Sequence, residues 1–348
     1  MKKYTDFAVK QIVNLCNIPS PSGYTQKATE YLMKIFKDLG FTPLYTRKKA
    51  VLVTLGGEGD HLILAAHVDT LGAMVRSIKG NGRIRHTKIG GFPENNIENE
   101  NIIVHTRDGK EYEGTAYLVH PAVHVYSDVG SMTRNDETVE IILDEKVSSK
   151  KDVEKLGIKV GDFISFDPRT KVTKSGFIKS RHLDDKASAG LLISLAKMVA
   201  DKEITLSRKV SLLFTTYEEV GHGGSAGIPQ DTTDMISVDM GAVGDDLTTD
   251  EYKVSICVKD SGGPYDFDLT NDLIRIAETM KLNHALDIYP RYGSDVEATL
   301  HAGYDIRHAL IGPGVFASHG YERTHKSGVE NTLKLLVEYI NPNDAVEL

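Results

Sequence analysis

Cysteine is scarce. Only Cys16 and Cys257 occur in 348 residues, far apart and in mainly apolar surroundings. Such a pair does not lace together a small secreted fold, and both are expected as buried, reduced thiols of a reducing compartment. Long apolar runs are also missing, so no segment is expected to span a bilayer. The first sixteen residues open with two lysines and continue in an apolar pattern broken by polar groups, with no small-residue cleavage site following. They are expected as a surface helix instead of a signal peptide, which makes the cytoplasm the default location. Positive charge is in deficit, with a formal net charge of -8. That disfavours nucleic acid and anionic membranes as partners, since both select basic patches. Glycine at 31 and proline at 11 suit a chain with many connections and neither a disordered nor a collagen-like one. No internal repeat or low-complexity tract is evident. Gly56-Gly57-Glu58-Gly59 joins strand to strand and opens no helix, so it is no dinucleotide fingerprint.

The length suggests two domains. Apolar residues at helical spacing predict helices over 7–18 and 24–39, the second with Gly40 as C-cap. Short strands are expected at 51–55 and 61–66. Between about 71 and 174 helical periodicity nearly vanishes, except around 151–156. β-like pieces at 101–106, 114–119 and 139–143 alternate there with turns, and 161–166 and 171–178 are expected to complete the same all-β module. From Asp184 onward helices are expected at 185–199, 269–280, 296–302 and 328–340. Strands are expected at 208–216, 235–238, 252–258, 285–289 and 306–311. Strands alternating with helices predict an α/β fold with a mostly parallel sheet and helices on both faces. The expected organisation is a discontinuous catalytic domain, residues 1–71 and 175–348, interrupted by a β-rich domain at 72–174.

Several predicted strands end in acidic or imidazole groups: His67 and Asp69, then Glu218 and Glu219, then Asp239. Ligands in open α/β sheets gather beyond the carboxyl ends of strands, so these groups could converge. Asp184 opens a helix, where capping alone would account for it. Burying so many carboxylates together is prohibitive unless cations offset the charge. With Asp184, Glu219 and Asp239 ionised and His67 and His325 neutral, three negative charges and one bridging hydroxide would balance two divalent cations. Mixed nitrogen and oxygen donors suit zinc, cobalt or manganese better than calcium. Asp69, two residues past His67, is placed to accept the second imidazole N–H. Each residue also has a plainer reading: strand-end packing for His67, a solvated face for Glu218-Glu219, an ordinary basic loop around His325. Against the second, Val220-Gly221-His222-Gly223-Gly224 is a tight bend that brings backbone close to something. His182 and His222 are expected in the pocket wall, and Ser225 is not read as a nucleophile.

Five stretches together resemble the glutamyl and deblocking aminopeptidase family, dinuclear metallopeptidases that often assemble into tetrahedral particles. They are Ala66-His67-Val68-Asp69, Leu183-Asp184-Asp185-Lys186, Glu218-Glu219-Val220-Gly221, Val238-Asp239 and Tyr321-Glu322-Arg323-Thr324-His325. Their order and spacing cover essentially the whole chain. The resemblance implies that Asp184 bridges two metals, that His67 and Asp239 complete one site, and that Glu219 and His325 complete the other. It further implies Glu218 as general base, Asp69 as the support of His67, and the β module as a dimerisation domain. Thr70, Lys186 and Tyr292-Gly293-Ser294-Asp295 depart from the commonest family pattern. The expected activity is release of N-terminal residues from short peptides, through a water shared by the cations and deprotonated by Glu218. The expected assembly is a homo-oligomer, dimers building a dodecamer. Dipeptidase, carboxypeptidase or acyl-amino-acid deacylase chemistry on the same scaffold is the alternative, with Arg181, Lys186, Arg291 and Arg323 as candidate partners of a substrate carboxylate. A glycoside hydrolase would need a carboxylate pair and no metals. An inactive scaffold would hold metal without turnover.

Overall fold

The computed structural model describes residues 1–341. At its centre lie four parallel strands in the order Lys209–Thr215, His61–His67, Thr232–Val238 and Arg307–Val315. Val51–Gly56 and then Leu44–Tyr45 extend one side antiparallel. Val254–Lys259 joins the other side antiparallel and is followed by His284–Ile288, which runs parallel to it. The sheet is therefore mostly parallel, as expected, with antiparallel strands toward its margins.

The middle strand shows why. His61–His67 is buried at every position, an uninterrupted run that a sheet covered on both faces requires. Successive side chains alternate between the two faces. Leu62, Leu64 and Ala66 enter one core, and Ile63 and Ala65 enter the other. Helices Lys2–Cys16, Gln26–Asp38, Leu183–Ala200, Phe267–Thr279 and Lys326–Ile340 contribute to the first core. Val296 of the short helix Asp295–His301 packs into the second.

The β module is a closed antiparallel barrel. Its strands follow the order Gly72–Ile78, Ile84–Ile89, Val139–Leu143, Glu111–Leu118, Asn101–His105 and Phe163–Phe166. Ala73, Val75, Ile84, Val104, Ala116 and Ile164 belong to a core of its own. Closure removes the free edges that an isolated small sheet would expose. Its single α-helix among the described residues, Lys150–Leu156, is capped at Ser149 and stopped by left-handed Gly157.

Residues 171–178, expected to finish this module, do not. Lys171–Val172 and Phe177–Ser180 form a separate ribbon, and the second of these strands pairs antiparallel with Glu322–His325. Ladder pairing with a segment some 150 residues away, which local alternation cannot reveal, took these strands out of the barrel. The ribbon matters to the site because it brings Glu322 to the start of the helix that carries Asp184.

That helix, Leu183–Ala200, is buried along nearly its whole length and crosses Lys2–Cys16 at close range. At the crossing stands Gly190, where an added Cβ would fall 2.6 Å from Cγ1 of Ile12 and 2.7 Å from its backbone nitrogen. Gly190→Val should force the two helices apart and cost about 3 kcal/mol of folding stability. The measurement is the midpoint of denaturant unfolding, and a midpoint equal to that of the parent protein would contradict such close packing.

Candidate metal centre

Because the four central strands run parallel, their carboxyl ends share one rim. His67 closes its own strand, Glu218 and Glu219 form a short 3-10 turn just past Lys209–Thr215, and Asp239 follows Thr232–Val238. Asp184 enters from the long helix, at a start where it and Asp185 lie outside helical φ/ψ.

The carboxylate of Asp184 stands between two histidines. Oδ1 lies 3.0 Å from Nε2 of His67, and Oδ2 lies 3.3 Å from Nε2 of His319. Two triads result. Ligand atoms of His67, Asp184 and Asp239 all fall within 4.8 Å of one another, and so do those of Asp184, Glu219 and His319. Nε2 of His319 is 3.6 Å from Oε2 of Glu219. The far nitrogen of each ring is held by a backbone carbonyl: Nδ1 of His67 by Asp69 at 2.9 Å, and Nδ1 of His319 by Gly91 at 2.5 Å. Both rings thereby present Nε2 to the shared carboxylate.

His319 is the residue that sequence reading missed, and His325 was expected in its place. His325 is occupied elsewhere. Its Nε2 donates to the Ser175 carbonyl at 2.8 Å, while Nδ1 accepts the Ser327 amide at 3.1 Å and caps the last helix. The ring packs against Phe177 and Tyr252. His319 sits in a turn with φ 62°, outside any strand or helix, and so had no periodicity to mark it. A signal did exist. Arg307–Val315 is the fourth parallel strand, and His319 is the imidazole beyond its carboxyl end, placed as His67 is on its own strand.

Asp69 also differs from expectation. Its backbone carbonyl, and not its carboxylate, takes the His67 N–H; the carboxylate is 3.7 Å away. That carboxylate instead accepts from Ser22 Oγ at 2.5 Å and from the amides of Glu218 and Glu219 at 3.1 and 3.3 Å. Asp69 thus sets the turn that aims both glutamates. Glu322 does the same for the other half: one oxygen accepts the Asp184 amide at 3.0 Å, the other the His319 amide at 2.9 Å. Asp295 anchors the glycine-rich bend through the Gly224 amide at 2.6 Å and Thr215 Oγ1 at 2.5 Å. Gly223-Gly224-Ser225-Ala226-Gly227 does spell the letters of a serine elbow. Yet Ser225 lies in an open loop that leads into no helix, and its hydroxyl donates to the His222 carbonyl. His222 stacks on Tyr217, and His182 lines a small cavity with Leu71 and Phe92.

Charge dominates the site. Burial first, and then neighbouring carboxylates, push Glu218 and Glu219 well above the usual carboxylate range. Burial and the charge of Asp184 raise Asp239 to about 7. Asp184 is held low against its own burial by hydrogen bonds from His319 and His67. Burial opposes protonation of His319, but Asp184 and Glu219 carry it up to about 10, and His67 is likewise raised against its burial. The cluster favours positive charge, and the surrounding carboxylates push both imidazoles toward holding protons. Imidazole nitrogen and carboxylate oxygen, in two triads joined at Asp184, are a donor set that fits divalent zinc, cobalt or manganese. A cavity of about 880 Å³ opens over these groups and continues to Arg291 and Glu297.

A family model described as M42 glutamyl aminopeptidase matches residues 50–335 of this chain. The Bacillus subtilis (strain 168) protein named "Putative aminopeptidase YhfE" is 49% identical over 331 residues, covering 94% of this chain and 96% of that protein. The glutamyl aminopeptidase of Lactococcus lactis subsp. cremoris (strain MG1363) is 26% identical over 215 residues, 61% of this chain and 59% of its own. The solved structure of the Pyrococcus horikoshii TET1 peptidase superposes with a TM-score of 0.83 at 22% identity, covering 96% of this chain and 99% of that one. This last likeness is one of fold.

Replacing the histidines one at a time separates the two assignments. His319→Ala should weaken binding of Zn²⁺, Co²⁺ or Mn²⁺ at one position by at least about 100-fold, while His325→Ala should keep the full metal content. Calorimetric titration of the metal-stripped protein reads both, and loss of metal in His325→Ala alone would restore His325 as the ligand.

Proposed function

The chain belongs to the M42 glutamyl aminopeptidase family, and on that footing we propose that it is a metal-dependent aminopeptidase releasing N-terminal residues from short peptides. The sharing of Asp184 between two histidines carries this reading. One carboxylate whose two oxygens face two separate nitrogen donors is suited to bridging two cations, zinc or cobalt for preference, with manganese also accommodated. His67 and Asp239 would complete one position, Glu219 and His319 the other. When bound, the cations would supply Lewis-acid polarisation of the scissile carbonyl and a lowered pKa for water bound there.

The remaining chemistry falls to the chain's own groups. Glu218 belongs to neither triad, although its Oε2 comes within 3.7 Å of Nε2 of His67. Its side chain remains 16% exposed, against 3% for Glu219, so it faces the cavity more openly than its neighbour. Burial and surrounding negative charge raise its proton affinity, as a general base needs. Glu218 takes a proton from the attacking water and returns it to the leaving amine. Asp69 holds the backbone of both glutamates, and so orients base and ligand together.

Among the alternatives, carboxypeptidase or deacylase action wants a free cation for the substrate carboxylate. Arg181 is engaged by Glu100, Arg323 by Glu251, and Lys186 is buried with its ammonium on the Ile18 carbonyl. Only Arg291 of the four lines the cavity. A negative cavity is better matched to a substrate's free α-ammonium, which favours attack at the first residue. We further propose a homo-oligomer that pairs through the barrel, built from dimers into a dodecamer. The ability of the Pyrococcus horikoshii TET1 peptidase to assemble into a tetrahedron or a large octahedral shell supports this by analogy of fold. No helix among the described residues is long and apolar enough to cross a membrane, which is compatible with work in the cytoplasm.

Amino-acid amides and C-terminally amidated peptides, assayed with zinc, cobalt and manganese in turn, should be cleaved from the N-terminus. Chelation should abolish turnover and re-addition of metal should restore it. Glu218→Gln should lower kcat by about 10²- to 10⁴-fold with metal content preserved. Near-normal turnover in that variant would sink the general-base role.

A further inference from the structure

Beyond the groups around Asp184, the same cavity reaches Glu297, on the helix Asp295–His301. Glu297 is not one of the clustered donors, and its surroundings are unusual for a carboxyl group. It lies within hydrogen-bond reach of Asp260, which is fully buried. Asp260 Oδ1 accepts the Gly262 amide at 2.9 Å, and Oδ2 accepts the Tyr265 hydroxyl at 2.5 Å. The Glu297 carboxyl is laid flat over Gly262, where an added Cβ would come within 1.9 Å of Oε1; only glycine leaves that room. Its other oxygen faces Gly293, also in the cavity wall.

Two carboxyl groups are thus pressed together at the edge of a substrate-sized cavity. Among the described residues no cation pairs with either. The nearby Lys259 ammonium goes to the Asp260 backbone carbonyl instead. A second carboxylate at its back makes the charged form of Glu297 costly. Burial, and then the hydrogen bond and charge of Asp260, accordingly raise Glu297 to about 8. A cationic group arriving from the cavity would offset that cost and satisfy both carboxylates at once.

We propose that Glu297, backed by Asp260, is a specificity-determining residue that selects peptides whose N-terminal residue is lysine or arginine. This rests on the aminopeptidase reading above and deepens it. Arg291, the opposing charge in the cavity lining, would instead favour an acidic residue. It is exposed and solvent-screened, whereas Glu297 is half-buried and has a buried carboxylate at its back.

The test compares lysyl, arginyl, leucyl and glutamyl amides on the metal-loaded protein and its Glu297→Gln variant. The parent should favour the two basic substrates. Glu297→Gln should lower the ratio of kcat/KM for lysyl over leucyl by about 10- to 100-fold, the worth of one hydrogen bond to a charged group. A parent that prefers glutamyl amide, or a variant in which all four substrates fall together, overturns the proposal; the second result would mean that Glu297 anchors the α-amine. Calorimetric binding of lysinamide against its neutral isostere norleucinamide gives a readout independent of turnover. Equal affinities would overturn the selectivity even if cleavage is observed. Should no amide be cleaved while lysinamide binds selectively, the aminopeptidase reading fails and the recognition of a basic side chain stands.

Discussion

A carboxylate buried among other carboxylates must have positive charge beside it, and the whole rim of this sheet is organised around that demand at Asp184. Its two oxygens face two imidazoles, each with its far nitrogen tied to a backbone carbonyl and its near nitrogen turned inward. The imidazoles answer that demand only partly, since burial and neighbouring negative charge still push Glu218, Glu219 and Asp239 above the usual carboxylate range. Divalent cations meet it better, because each brings two charges to a small volume and accepts the lone pairs already aimed there. The chemistry proposed for the site follows from this electrostatic requirement more than from any single residue.

Holding such a cluster together takes a further layer of carboxylates, whose work is done on backbone amides. Asp69 fixes Glu218 and Glu219, Glu322 fixes Asp184 and His319, and Asp295 fixes the glycine bend. Each ties together segments distant along the chain. The ribbon of Phe177–Ser180 with Glu322–His325 performs the same task with ladder hydrogen bonds. The inserted barrel, by contrast, has its own core and leaves the donor set to the sheet, apart from the Gly91 carbonyl that steadies His319.

Much of this architecture was legible in the residue order. The apolar run at 61–66 and the mainly apolar segments at 208–216 and 235–238 marked strands of a covered sheet, and the loss of helical period after about residue 71 marked the β module. His67, Glu218, Glu219 and Asp239 were legible because each stands at or just beyond the end of a predicted strand. Residues 171–178 were expected in the wrong unit because a short alternating segment carries no record of its partner. His325 was expected from the resemblance alone, since its own surroundings read as a basic loop, and His319 sits in a left-handed turn that local pattern does not mark.

The sequence by itself determined the elements: which stretches become helix or strand, which strands are buried on both faces, and which polar groups end them. These follow from local preference and apolar period, both written along the chain. Tertiary structure alone decided which of those polar groups meet. His319 was brought to Asp184 and His325 was turned toward Ser175; the Asp69 carboxylate went to the glutamate turn, and Glu297 was laid against Asp260. Those outcomes depend on strand order, register and backbone direction between residues tens to hundreds of positions apart. They are set when the layers pack, and no local preference encodes them.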